Sequence, residues 1–76
     1  MALSELPLAS GREHAKVFVA LGWTIRRNGE HLVLKKSGTG MISIPNHREV
    51  KRQTLSRIIQ HAGLTDEVYR QAYEAL

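Results

Sequence analysis

His31 and His47 are the residues of this chain best suited to chemistry. His31 stands in Gly29-Glu30-His31-Leu32-Val33-Leu34-Lys35-Lys36, at the head of an alternating apolar stretch; His47 closes Ile44-Pro45-Asn46-His47. A neutral imidazole, with an unperturbed pKa of about 6.5, can take a proton from a hydroxyl at neutral pH. Set among cations, that chemistry suits attack of an RNA 2′-oxygen on the adjacent phosphorus, with positive charge holding the phosphoryl oxygens. His31 is thus the candidate general base, Lys35 the candidate charge stabiliser, and His47 a candidate supporting group or acid. Each also has a plain reading as a surface strand residue or a turn histidine bonded to local backbone. His14 and His61 fall on helices, where partial exposure or packing is the simpler expectation.

Composition narrows the choices. Eleven Lys and Arg stand against seven Asp and Glu, a net charge of +4 that favours polyanionic partners through phosphate contacts. The basic set is Arg26, Arg27, Lys35, Lys36, Arg48, Lys51 and Arg52; Arg48-Glu49-Val50-Lys51-Arg52 is the candidate clamp for an RNA backbone, beside the amides of a helix start. There is no cysteine, and the four histidines share no short ligand spacing, so neither metal nor cofactor is expected. The chain lacks the roughly 18 apolar residues of a membrane span and the basic, apolar pattern of a signal peptide. A cytoplasmic protein is the expectation.

Local sequence patterns define the helices and strands around these residues. Residues 1–9 form an irregular lead-in and 10–76 a single domain. Ser10-Gly11-Arg12-Glu13 fits a capping box, and the helix behind it runs to Gly22 with Val17, Phe18 and Leu21 on one side. From Trp23 the period becomes two: Trp23 and Ile25 point inward, Asn28-Gly29 signals a hairpin, and Leu32 and Leu34 face opposite to His31, Val33 and Lys35. After Ser37-Gly38-Thr39-Gly40 a third strand carries Ile42 and Ile44 inward and ends at Pro45. Leu55, Ile58, Ile59 and Ala62 make the buried stripe of a second helix. Thr65 opens a short third helix, with Val68, Ala72 and Leu76 toward the core. The predicted class is α+β: helices on one face of a three-stranded antiparallel sheet, with His31 and Lys35 on the open face.

In this order and spacing the chain resembles the HicA family of toxins from bacterial and archaeal toxin–antitoxin pairs. The residues that carry the likeness are Gly22-Trp23, Arg27, Gly29-Glu30-His31, Ile44-Pro45-Asn46-His47 and Thr54 to Leu64, within about Ser10 to Tyr69. The resemblance implies a fold similar to a double-stranded-RNA-binding domain, α-β-β-β-α with a short extra C-terminal helix, and a ribosome-independent mRNA endonuclease. It implies His31 as the catalytic histidine, mRNA as substrate, and a HicB-type antitoxin as partner; beside it, Arg26, Arg27, Gly29, Lys36, Arg48, Lys51 and Arg52 are the expected contacts to single-stranded RNA. Glu30 stands where the family has serine, and Leu32 where a second histidine is common. A carboxylate there would repel a phosphate, although the strand pleat turns Glu30 away from His31. The alternative expectation is a non-catalytic RNA-binding or antitoxin-docking module of the same fold.

Overall fold

Ser10 starts the first helix as its spacing to Glu13 predicts. In the computed structural model, which describes residues 6–76, Ser10 Oγ accepts the Glu13 amide at 3.1 Å and donates to the Glu13 carboxylate at 3.2 Å. The first five residues of the expected lead-in lie outside the described residues. Helix α1, Gly11–Ala20, buries His14, Ala15, Val17 and Phe18. It stops at Gly22, whose φ of 99° lies in the region that favours glycine.

Three antiparallel strands follow in spatial order, β1 Thr24–Asn28, β2 His31–Lys36 and β3 Gly40–Pro45. Leu32 pairs with Ile44 and Leu34 with Ile42, and all four are buried on one face of the sheet. Helices α1 and α2 (Arg52–His61) pack on the strands, and α3 (Asp66–Glu74) packs against both helices. Leu55, Ile58, Ile59 and Ala62 of the second-helix stripe join this core together with Trp23. The layout is the expected α+β arrangement. No helix of the described residues is long and apolar enough to cross a membrane.

Three local expectations are corrected. Ile25 does face the helix side, opposite Leu34, but on an edge strand it stays 43% exposed. Val68 and Leu76 do not enter the core; Tyr69 does, fully buried, with Ala72 and Tyr73 against it. The Tyr69 ring lies 5.1 Å from that of Phe18, so α3 turns its largest aromatic inward rather than its aliphatic residues. The β1–β2 hairpin forms without the positive φ that a two-residue Asn-Gly turn requires at its centre: among the described residues only Gly22, Gly38, Gly40 and Gly63 have it.

Residues 6–9 of the lead-in belong to the fold. Leu6 and Ala9 are buried, the Leu6 carbonyl accepts from Arg52 Nε at 2.7 Å, and the Ala9 carbonyl accepts from the Val50 amide at 2.9 Å.

The most unusual core residue is His14, with no exposed surface. Its Nδ1 meets the Tyr69 hydroxyl at 2.6 Å, while its Nε2 has no hydrogen-bond partner among the described residues. Burial lowers its pKa to about 4 despite the nearby Glu13 carboxylate. The unfolded imidazole protonates below about 6.5, the folded one only near 4, so the unfolded state gains its proton first as pH falls. Stability should therefore drop across this window, by at most about 3 kcal/mol from this group, with no further loss from it below the lower value. Urea unfolding of wild type and His14→Gln from pH 7 down checks this: the difference between them should depend on pH only in that window.

Candidate active site

Strand β2 presents His31, Val33 and Lys35 to the open face, as the burial of Leu32 and Leu34 requires. His31 is exposed at the first position of the strand and pairs with Pro45; Lys35 is exposed and pairs with Met41. His31 and Lys35 are four residues apart, so about 13 Å separates their backbones at about 3.3 Å per residue. They cannot readily act on the same phosphate.

Strand β1 supplies the nearer cation. Its register with β2 shifts between Ile25 and Arg27, so that Ile25 opposes Leu34 and Arg27 opposes Val33. The extra residue at Arg26 is a β-bulge, which lets two successive side chains serve one face. Arg26 and Arg27 both line a shallow depression of about 440 Å³ with Val33, Lys35 and Met41. Strict alternation would have sent Arg27 to the helix side. A residue diagonal to a cross-strand pair lies about 7–8 Å away, which makes Arg27 the cation nearest His31 by register. No carboxylate lines this depression among the described residues.

The loop before His31 is anchored from the far edge of the sheet. Asn46 donates its amide N–H to the Glu30 carbonyl at 3.0 Å and its side-chain Nδ2 to the Gly29 carbonyl at 2.9 Å. The first bond extends the β2–β3 ladder past His31, and alternation along it sets Glu30 and His31 on opposite faces. The segment Pro45-Asn46-His47 is held in turn by α1: the Gly11 amide donates to the His47 carbonyl at 2.9 Å. A β-carbon on Gly11 would collide with the Pro45 carbonyl oxygen, so glycine is needed for this approach. His47 is exposed, two residues beyond the cross-strand partner of His31.

The other basic residues divide. Arg48 and Lys51 are exposed ahead of α2, whose N-cap Lys51 makes no side-chain capping bond. Lys36 turns to the helix side and donates from Nζ to the Leu21 carbonyl at 3.0 Å, satisfying the end of α1. Arg52 holds the lead-in through Leu6. Gly29 is exposed, with nothing within 4 Å of where a side chain would start. Sequence reasoning missed the anchoring role of Asn46 and the placement of Met41 and Ser43. The adjacent arginines at 26 and 27, which break the alternation, were the available signal for the bulge. Among the described residues no three His, Asp or Glu side chains gather where a metal could bind.

The sequence model of the HicA toxin of bacterial toxin–antitoxin systems matches residues 11–64. The chain belongs to the HicA toxin family. That membership makes it a toxin of a toxin–antitoxin system and supports a nuclease role. A chain of a toxin–antitoxin complex from Streptococcus pneumoniae is similar to it, with 33% identity and a TM-score of 0.64, over 72% of this chain and 97% of that one. No curated protein sequence matches the chain. Helix α3 lies beyond the residues matched by the family model, although its Tyr69 is fully buried beside α1.

Two substitutions test how the site is held. Gly11→Ala should destabilise the domain by about 1–3 kcal/mol through overpacking and shift the amide signals of Asn46 and His47 in NMR spectra. Asn46→Ala should cost about 0.5–1.5 kcal/mol in urea unfolding and move the His31 ring signals while leaving those of His61 in place.

Proposed function

We propose that this HicA-family toxin is a metal-independent mRNA endonuclease in which His31 is the general base. The observation that carries the reading is the exposed His31 at one end of a cation-lined open face, with Arg27 diagonal to it. The His31 imidazole takes the proton of an RNA 2′-hydroxyl, and the 2′-oxygen forms a bond to the adjacent phosphorus. The bond from phosphorus to the 5′-oxygen breaks, leaving a 2′,3′-cyclic phosphate and a 5′-hydroxyl. Arg27 holds the charge developing on the phosphoryl oxygens, whereas Lys35, about 13 Å further along the strand, contacts a neighbouring part of the RNA. His47 is the candidate donor of the proton needed by the leaving oxygen. Arg26, Gly29, Arg48 and Lys51 extend the contact surface; Lys36 and Arg52 contribute only through donors not already spent on backbone carbonyls.

The partner in this reading is a HicB-type antitoxin that covers the open face, and the free toxin acts on mRNA in the cytoplasm. The similarity to a chain of a toxin–antitoxin complex supports an antitoxin partner. Glu30 in place of the family serine favours a second reading, a non-catalytic RNA-binding or antitoxin-docking module.

Incubation of the free protein with single-stranded mRNA in EDTA separates the two. Wild type should yield fragments with cyclic phosphate ends. His31→Ala should lose at least the roughly 10²–10⁴-fold supplied by a general base. Arg27→Ala should slow cleavage more than Lys35→Ala. RNA binding without fragments would favour the module, and equal fragments from wild type and His31→Ala would remove His31 from the chemistry.

A further inference from the structure

The geometry points to a second RNA-binding segment, the groove between the free edge of β3 and helix α2, which receives the strand of RNA leaving the His31 face. It rests on the RNA reading of that face and extends it to residues outside the region it covers. The groove, of about 350 Å³, is lined by Met41, Ser43, Thr54, Arg57 and His61 over an apolar base of Ile42 and Ile58.

Three observations carry this assignment. Met41, 60% exposed, lines both this groove and the depression holding Arg26, Arg27 and Lys35, so the two are continuous around the sheet edge. Arg57 and His61, four residues apart on α2 and both exposed, place a guanidinium and an imidazole on one wall, with Thr54 one turn before; no carboxylate lines the groove among the described residues. The edge of β3 also offers backbone donors. Because the Asn46 amide bonds to Glu30, alternation directs the amides of Ile44 and Ile42 toward β2 and those of Ser43 and Met41 outward. The Arg57 guanidinium, the His61 imidazole, the Ser43 and Thr54 hydroxyls and the two outward N–H groups, which alternate with the outward carbonyls of the same two residues, offer donors to phosphates, and the Met41 thioether and Ile58 give a base an apolar surface. Single-stranded RNA is favoured over a protein strand because the cations continue from one depression into the next.

The test measures binding of 2′-O-methyl RNA, which lacks the attacking hydroxyl and stays intact, by fluorescence anisotropy over a salt series. Oligonucleotides of about four and about twelve residues distinguish the face alone from the face plus groove. Arg57→Ala should weaken binding of the longer RNA several-fold and reduce its salt slope by about 0.7, while the shorter RNA responds to Arg27→Ala and not to Arg57→Ala. His61→Ala should act in the same direction as Arg57→Ala. Arg12→Ala, removing an exposed cation of α1 outside the track, serves as the control for net charge and should change little. If Arg57→Ala affects the longer RNA no more than Arg12→Ala, the groove is not an RNA site and is left for a strand from a protein partner. If wild type binds neither RNA, the reading of the open face fails and this assignment falls with it.

Discussion

The burial of Leu32, Leu34, Ile42 and Ile44 beneath α1 and α2 is the constraint on which everything else rests. Side chains alternate along a strand with period two, so a one-residue slip of β2 and β3 together would drive all four into solvent and carry His31 and Lys35 under the helices. The cost of that slip is several buried aliphatic side chains at about 1.5–3 kcal/mol each, far above the worth of any contact made on the open face. The hydrophobic core thus decides which face is available for chemistry, although it touches none of the groups that would perform it.

Around that register the chain spends its polar contacts on holding the two ends of the site. The bulge in β1 adds one residue and thereby brings both arginines to the open face, which no flat strand could do. At the other edge, α1 approaches Pro45 so closely that only glycine fits at position 11, and Asn46 passes the restraint on to Gly29 and Glu30. His31 is therefore fixed by its neighbours on both sides while its own ring remains open to solvent.

Helix α3 lies beyond the residues matched by the family model yet completes the core through Tyr69. Its hydroxyl gives His14 one partner in a site where an imidazole would otherwise be buried with none, and its ring packs on Phe18. The exchange is imperfect, since Nε2 remains unpaired among the described residues and a buried donor or acceptor without a partner is costly. Fold stability is thereby tied to the neutral state of one histidine, remote in role from the exposed histidine proposed to act on RNA.

Element order, the inward faces of β2 and β3, the capping of α1 by Ser10 and the exposure of His31 and Lys35 are all legible in the linear pattern. Each depends on local periodicity or local hydrogen bonding, which a linear pattern records. The side presented by β1 after Ile25, the phase of α3, the spending of Lys36 and Arg52 on backbone carbonyls, and the restraint of Gly29 by Asn46 were decided only by tertiary structure. These depend on partners such as Val33, Phe18, Leu21, Leu6 and Asn46, which come from other elements of the chain. An arginine pair that breaks alternation, or a tyrosine beside a valine, has its place settled by the shape and unmet hydrogen bonds of what packs against it.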